Sequence, residues 1–215
     1  MAFGAQRLVS PLDWSNTRRT FDGASAIVSM GRLADDRLLA AAGAGQPLLR
    51  EQTGGRRTTF FYGLYATGFL LGKEIRSDLY WLGFEHGNAT WNGTTGDEKR
   101  QTLGARPSSG VLPGTALDFD VEGAYQLGEV GSGDVNACMV ASQVGWWFEE
   151  LAISPRASSL GFDWASGDES PGGDVQTFNQ LFPLSHQYYG WIDAIAVART
   201  RSTLSSASCC GRCRP

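Results

Sequence analysis

The amino-acid sequence predicts an all-β fold of antiparallel strands. Its 215 residues include 28 Gly, seven Trp, six Tyr and eleven Phe but only three Met, a composition typical of strands and turns. Beyond residue 56, segments of about ten residues alternate in polarity between clusters of Gly, Pro, Asp and Ser, as strands joined by turns do. No run reaches the roughly 18 apolar residues that a membrane-spanning helix requires, so contact with a membrane would have to involve strands.

The charge distribution argues against nucleic acid as a partner. The formal net charge is −4, yet the last twenty residues carry Arg199, Arg201, Arg212 and Arg214 and no acid. The rest of the chain is therefore more acidic than the total suggests. It also lacks a stripe of Lys and Arg interleaved with stacking aromatic residues, which is the usual footprint of a nucleic-acid-binding surface.

The four cysteines predict no metal centre and no other cofactor. Cys209, Cys210 and Cys213 form one cluster, but a zinc site needs about four ligands at fixed spacing, and neither His lies near the cluster in sequence. Cys138 lies within a predicted strand, where a free cysteine acts as a small apolar side chain. No metal ligand and no catalytic residue is expected from this set.

Two strands are predicted over residues 58–67 and 76–86 from alternating polarity. In the first, Phe60, Tyr62, Leu64 and Ala66 oppose Thr59, Phe61, Gly63 and Tyr65. In the second, the preferred arrangement places Tyr80, Leu82 and Phe84 outward, with Trp81, Gly83 and Glu85 inward. The opposite facing of this second strand stays open, because both of its faces carry aromatic side chains.

A third strand is indicated by Arg100, Thr102, Gly104 and Arg106, which share one parity and are expected to face an aqueous interior. We expect a turn to begin at Pro107, because proline cannot donate to a strand ladder.

The clearest strand is predicted over residues 116–128, where polarity alternates with a period of two. Its apolar face contains Leu117, Phe119, Val121, Gly123, Tyr125 and Leu127. Its polar face contains Asp118, Asp120, Glu122, Ala124 and Gln126. We therefore expect one face to meet hydrocarbon and the other to meet water.

Two further strands and a long loop complete the pattern. Residues 135–148 predict a strand that ends in Trp146, Trp147 and Phe148, as strands do at a membrane interface. In residues 158–165, we expect Leu160, Phe162 and Trp164 to face outward, and Ser159, Gly161, Asp163 and Ala165 to face inward.

Residues 166–187 are expected to form a solvated loop, on the side of the barrel away from short turns such as residues 129–134. Asp168, Glu169 and Asp174 could hold a hard cation, but a solvated acidic loop is the preferred interpretation.

Several blocks of the sequence resemble the alginate export family of outer-membrane proteins. The blocks are QRLVSPLDWSNTRRTFDG (6–23), FYGLYAT (61–67), DLYWLGFE (78–85), RQTLGAR (100–106), DFDVEGAYQLG (118–128) and GDVQTFNQLFPLSHQYYGWIDAI (173–195). Six blocks in family order are far more specific than any one of them.

The resemblance implies a bacterial outer-membrane porin, built as a monomeric antiparallel barrel whose charged lumen lets an anionic polysaccharide leave the cell. It brings no catalytic residue and no cofactor. Basic side chains would replace the hydration that a polyanion loses, and interleaved acids would keep its binding weak. The basic candidates for the pore lining are Arg18, Arg19, Arg76, Arg100 and Arg106, and the acidic candidates are Asp118, Asp120 and Glu122.

The chain departs from the family pattern in two places, which predicts a partial barrel or an open curved sheet over residues 1–195. Between residues 24 and 56, Ala and Leu dominate and alternation is lost, which favours a helix or linker. After residue 196 the pattern changes to Arg, Ser, Thr and Cys, as expected of a disordered tail translated in a shifted reading frame. The start of the sequence shows no secretory signal, so we expect this fragment by itself to remain unexported.

Two other classes of protein remain as alternatives. A soluble β-sandwich that binds carbohydrate would enclose the apolar strand faces in a core. A polysaccharide lyase or two-carboxylate glycosidase is disfavoured, because Asp118, Asp120 and Glu122 share one strand face. Paired-carboxylate hydrolysis instead needs groups that face each other across a gap of roughly 5 to 10 Å.

Overall fold

A computed structural model describes residues 2–13, 18–29, 37–45, 59–69, 73–148, 156–169, 171–184, 187–188 and 201–210. Nine strands in these ranges form one antiparallel sheet in sequence order, which confirms the predicted fold class. The strands are β1 Phe21–Ser29, β2 Arg37–Gly45, β3 Thr59–Gly68, β4 Ile75–Trp91, β5 Thr94–Ser109, β6 Leu117–Val130, β7 Gly133–Phe148, β8 Arg156–Ala165 and β9 Arg201–Cys210. Over the described ranges the sheet is open, with β1 and β9 at its edges. No helix in these ranges is long and apolar enough to cross a membrane.

Two tight turns fix the register of the central hairpins. Asn92 and Gly93 join β4 to β5 with positive φ angles of 48° and 79°, which suits the Asn-Gly sequence because both central residues of a type I′ turn need φ above zero. Gly131, with φ of 57°, and Ser132 join β6 to β7. Both turns therefore lie at the same end of the sheet.

The outer face of the sheet is apolar and exposed. Cross-strand neighbours Leu64, Trp81, Leu103 and Tyr125 form one row across β3 to β6, and every one of them is exposed to solvent. The exposed apolar residues of β6 to β8 continue the surface, and they are Leu127, Val140, Val144, Trp146, Leu160, Phe162 and Trp164. The predicted facing of β3, β6 and β8 is thus confirmed.

The height of this apolar surface matches a bilayer. On β6 it runs from Leu117 to Leu127, about 33 Å along the strand at about 3.3 Å per residue. With a strand tilt of about 40°, it becomes a band about 25 Å high, which is the height of the apolar band on outer-membrane barrels. A row of four charged side chains and one aromatic side chain, the rim row, bounds this band on the side of the tight turns. The rim row consists of Phe60, Glu85, Lys99, Glu129 and Asp134.

The core lies on the opposite, inner face, beneath two chain segments. Residues 2–13 and 171–184 run side by side there, joined by a parallel bridge between Val9 and Phe182. The Ser10 amide donates to the Phe182 carbonyl at 2.9 Å, and the Phe182 amide donates to the Leu8 carbonyl at 2.9 Å. The buried aromatic and aliphatic side chains between these segments and the sheet include Phe3, Phe61, Tyr65, Leu82 and Phe178.

The preferred facing of β4 is wrong. Tyr80, Leu82 and Phe84 are buried on the inner face, whereas Trp81 is 38% exposed on the outer face. The ring of Phe84 lies 5.8 Å from that of Phe182. The inner face is apolar here because it packs against a chain segment rather than water, and alternation alone cannot distinguish that environment from lipid.

The expected turn at Pro107 is also wrong, because β5 continues to Ser109. Pro107 lies opposite Ser77 of β4. The pairing of β5 with β6 is interrupted at Arg106 and Pro107, and it resumes at Ser108. The strand therefore tolerates a residue without an amide hydrogen at an interruption of one ladder.

The segment after β8 does not lie away from the short turns, and it is solvated only in part, because residues 171–174 are exposed whereas Val175 and Phe178 are not. Connections of an antiparallel sheet alternate between its ends, so the chain leaves β8 at the end that holds the tight turns. The Gly172 amide donates to the Asn92 carbonyl at 2.8 Å, and Val175 bridges to Val135. Val175 and Phe178 are buried, because this part of the segment covers the inner face.

Two predictions about irregular chain are corrected as well. Residues 24–29 belong to β1 and residues 37–45 form β2, rather than a helix or linker. Residues 201–210 form β9, paired with β8 along its length, rather than a disordered tail. Backbone pairing needs no particular side chains, so a neighbouring strand can recruit residues whose own pattern is weak. Residues 30–36, 46–56, 196–200 and 211–215, which these two predictions also cover, lie outside the described residues.

We expect a charge in the middle of the outer face to destabilise the protein in lipid. Val140→Arg should lower the free energy of unfolding by about 2 to 4 kcal/mol, and Asp134→Arg in the rim row by about 0 to 1 kcal/mol. Urea titration of the full chain folded in lipid vesicles measures both. Equal costs for the two substitutions would contradict a lipid-facing outer surface.

Candidate functional site

Six of the eight predicted pore-lining residues lie on the inner face of β4 to β6. They are Arg76, Arg100, Arg106, Asp118, Asp120 and Glu122. Arg18 and Arg19 precede β1 instead. The six do not form one surface, because some are enclosed in side-chain networks and others line an open cavity.

A buried network encloses Arg100 near the tight turns. Arg100 has no exposed surface. Its Nε donates to Glu98 Oε1 at 2.7 Å, and its Nη1 donates to Gln126 Oε1 at 3.0 Å and to the Thr177 carbonyl at 3.2 Å. The guanidinium also lies 5.0 Å from the Trp91 ring centre. Arg100 therefore has partners on the sheet and on the covering segment, and its complete burial leaves no surface that a ligand could reach.

The covering segment completes this network. Trp91 Nε1 and Asn179 Nδ2 both donate to Glu98, at 3.0 and 3.1 Å. Gln126 Nε2 donates to the Asn179 carbonyl at 2.7 Å, and the Asn179 amide donates back to Gln126 Oε1 at 2.8 Å. These contacts attach the segment to β5 and β6, so their role is structural.

A second cluster, centred on Arg106, lies toward the other end of the sheet. Arg106 Nε donates to Asp120 Oδ1 at 2.9 Å, and its Nη2 also contacts Asp120. Arg106 Nη1 donates to the buried Asp78 at 2.9 Å. Arg76 Nε lies 3.6 Å from the other oxygen of Asp78. One guanidinium thus holds two carboxylates, while Arg76 reaches only the edge of the cluster.

A tyrosine that spans two strands positions Glu122. The hydroxyl of Tyr80 on β4 donates to Glu122 Oε1 on β6 at 2.8 Å. Its ring crosses Gly104 of β5, where any Cβ would overlap the ring. Glycine is therefore required at this close approach.

Arg7 of the amino-terminal segment brings a further charge to this region. It lies 3.9 Å from Glu122 Oε2 and donates to Asp163 at 2.9 Å. Its guanidinium stacks 4.0 Å above the ring of Tyr188. Burial raises the pKa of Tyr188 to about 12, and the phenol therefore stays neutral at physiological pH.

An open cavity of about 710 Å³ lies beside the Arg106 cluster. Its charged lining residues are Glu74, Arg76, Arg106, Asp118 and Asp120. Asp118 accepts a hydrogen bond from Trp147 Nε1, so one of the predicted interfacial aromatics points inward. Arg76 is 48% exposed and is the most accessible cation of the lining. Sulfonate, phosphate or carboxylate groups could reach it from this side.

The two predicted arginines before β1 have other roles. Arg18 is 70% exposed and pairs with Asp13 at 3.1 Å. Arg19 donates to the Ser10 carbonyl at 3.0 Å and lies 5.4 Å from the Phe182 ring. Burial lowers the pKa of Arg19 to about 10, so its charge persists at neutral pH. Both residues fasten or flank the covering segments and do not line the cavity.

The acidic loop uses one of its carboxylates for its own backbone. Asp168 accepts hydrogen bonds from the amides of Gln176 and Thr177 at 2.7 and 3.2 Å. In the described part of the chain, no group of three or more His, Cys, Asp or Glu residues is arranged to hold a metal ion. Asp168 therefore shapes the turn into the covering segment.

Sequence reasoning missed Arg7, Asp78 and Glu98 as members of the inner polar surface, and it did not name Gln126 as a site residue. Glu98 shares the parity of Arg100, and Gln126 had already been placed on the polar face of β6, so alternation contained both signals. Asp78 was lost with the reversed facing of β4. Arg7 carries no periodic signal, because it lies in a segment without regular structure.

These features define a class of protein: an antiparallel sheet that turns apolar side chains outward and charged side chains inward, as strands in a membrane do. The family model described as Alginate export matches residues 1–202, and the chain belongs to that family, which is a family of outer-membrane proteins. Searches of curated proteins and of solved structures find no match.

We expect the buried network to be a strong determinant of stability. Arg100→Met should lower the free energy of unfolding by about 3 to 5 kcal/mol, because it leaves Glu98 charged and buried without its cation. The double substitution Glu98→Gln with Arg100→Met should recover most of that loss. Urea unfolding of the full chain in detergent micelles measures both, and a double variant no more stable than the single one would refute the explanation.

Proposed function

We propose that this chain forms part of the wall of a porin-type channel through which an anionic, alginate-like polysaccharide crosses the outer membrane by export or diffusion. The observation that carries the proposal is the separation of side chains between the two faces. An apolar band about 25 Å high covers the outer face, and within the height of that band the charged side chains of β4 to β6 lie on the inner face. A water-soluble sheet would have the reverse arrangement.

Among the predicted arginines of β4 to β6, Arg76 is the one that can meet a polyanion. Arg100 is enclosed, and Arg106 is occupied by Asp78 and Asp120. Arg76 contacts Thr67 and the edge of Asp78, and half of its side chain is exposed to the cavity. We therefore assign the first contact with a uronate carboxylate to Arg76, and the positioning of neighbouring acids to Arg106.

The acids around Arg76 favour transport of a polyanion over tight binding of it. Glu74, Asp118 and Asp120 line the same cavity. Their charges oppose prolonged binding of a polyanion, and conduction requires contacts that are strong enough to admit the ligand but weak enough to release it. A dedicated receptor for a polyanion would place few carboxylates beside its arginine.

Strand parity supports a larger barrel. Adjacent strands alternate in direction, so β1 and β9 run the same way, and pairing them directly would make a parallel seam. An antiparallel barrel has an even number of strands. We propose that an odd number of further strands lies between β9 and β1, which would also pair backbone groups that are costly to leave free in hydrocarbon.

The alternatives lack such support. A β-sandwich encloses its apolar faces between two sheets, but the nine described strands make one sheet with an exposed apolar face. For an enzyme, the clustered carboxylates would need to be available. Asp118 is bound by Trp147, Asp120 by Arg106 and Glu122 by Tyr80. We therefore propose a transport role without catalysis, in a monomeric protein.

We expect Arg76→Gln to weaken binding of short uronate oligomers about fivefold, because an exposed charge contact contributes up to about 1 kcal/mol. Calorimetric titration of the full chain folded in detergent micelles measures the affinity. Arg18→Gln removes the same charge at an exposed position outside the cavity and should leave the affinity unchanged. A neutral oligosaccharide should bind neither variant.

Transport itself is tested with lipid vesicles that contain a fluorescent uronate oligomer and a barrel in which the proposed further strands between β9 and β1 complete this chain. The proposal predicts faster loss of the oligomer than from vesicles without protein, and slower loss for Arg76→Gln than for Arg18→Gln. Loss at the rate of empty vesicles would refute the channel, and equal loss from the two variants would refute the role of Arg76.

A further inference from the structure

An apolar groove crosses the outer face over β3, β4 and β5. Its volume is about 310 Å³, and its lining includes Leu64, Ala66, Leu79, Trp81 and Leu103. Ala66 and Ala105 lie in one cross-strand row with Leu79, so small side chains beside large ones leave the depression. The depression is apolar throughout its side-chain lining, so an acyl chain can lie in it.

A polar group lies on the outer face between the groove and the tight turns. The hydroxyl of Tyr62 donates to Glu85 Oε1 at 3.3 Å and accepts a hydrogen bond from Gln101 Nε2 at 3.0 Å. To do so, the Tyr62 ring crosses Gly83, where a Cβ would overlap it. The Oε1 atom of Gln101 is buried and has no hydrogen-bond partner. That atom is therefore out of reach of a ligand, and the partly exposed Glu85 is the acceptor available on the outer face.

Glu85 lacks a cation of its own among the described residues. Lys99 is its cross-strand neighbour in the rim row, but Lys99 pairs with Glu129 at 3.4 Å. Asp134 follows in the same row. The rim row therefore carries three carboxylates and one ammonium group. Among the described residues Lys99 pairs with Glu129, and Glu85 and Asp134 have no ion pair, of which Glu85 is the one nearer the groove.

We propose that the groove and Glu85 together hold one phospholipid with an ethanolamine head group. Its ammonium group is placed on Glu85, and one acyl chain lies along Leu64, Trp81 and Leu103. Glu85 and Trp81 are four residues apart, about 13 Å along the strand, which suits the separation between a head-group ammonium and the first part of an acyl chain.

The charge of the rim row selects against an anionic lipid. A phosphatidylglycerol head group has no positive charge to offer Glu85, and its phosphate would approach Glu129 and Asp134. An ethanolamine head group carries a phosphate as well, but it presents its ammonium group to the carboxylate. The outer-membrane location that the family indicates supplies a bilayer in which such a lipid can reach the surface.

The test uses the full chain folded in vesicles of equal parts phosphatidylethanolamine and phosphatidylglycerol with the same acyl chains. Native mass spectrometry of the extracted protein counts the lipids that it retains. We expect the ratio of retained ethanolamine to glycerol lipid to fall about two- to fivefold in Glu85→Gln. Asp134→Asn removes the same charge from the same row, away from the groove, and should leave the ratio unchanged.

Ala66→Phe tests the groove separately from the head group. It fills the depression without changing charge on a face that meets lipid, so it should reduce retention of both lipids to a similar extent. The shift in gel mobility on heating, which folded membrane barrels show, confirms that each variant is folded. An unchanged ratio in Glu85→Gln, an equal fall in Asp134→Asn, full retention in Ala66→Phe, or failure of the chain to enter vesicles would each overturn the inference.

This lipid site does not depend on transport. It uses the outer face, whereas the proposed polysaccharide contact at Arg76 uses the inner face. A variant series that loses lipid selectivity but keeps uronate binding separates the two proposals, as does the opposite result.

Discussion

Strand alternation between two unlike environments is the constraint on which the rest of this structure depends. Successive side chains of a strand point to opposite faces, so once backbone pairing fixes the register, every residue of β3 to β8 is committed to one side. The apolar residues of β6 and β8 then define an outer band of bilayer height, and the carboxylates and guanidinium groups between them must face inward. A shift of one residue in any strand would place charges in that band.

Alternation gathers charged side chains on the inner face, and these side chains need partners. Residues 2–13 and 171–184 supply them by lying on that face. Arg7 pairs with Asp163, and Asn179 reaches Glu98. These contacts turn part of the charged surface into a closed structural network, while the region around Arg76 remains open. Enclosed and accessible charges are therefore separated along the strands.

A tyrosine ring packed over a glycine of the next strand occurs on both faces of the sheet. Tyr80 crosses Gly104 on the inner face and Tyr62 crosses Gly83 on the outer face, and each hydroxyl meets a polar partner two strands away. The missing side chain of glycine leaves the space for the ring. The two tyrosines contact Glu122 on the inner face and Glu85 on the outer face, so the same pairing of residue types occurs on two different surfaces.

The sequence by itself determined the fold class, the family and the facing of β3, β5, β6 and β8, because a period of two in polarity survives without any knowledge of the neighbours. It also placed Arg100 and Arg106 on the inner surface. Only the tertiary structure decided which of these arginines is enclosed and which end of the sheet is open, since burial of Arg100 comes from a segment about 77 positions later in the chain. For the same reason the sequence predicted the wrong facing for β4. Phe84 packs on Phe182, and an apolar face against a distant segment has the same residue pattern as an apolar face against lipid.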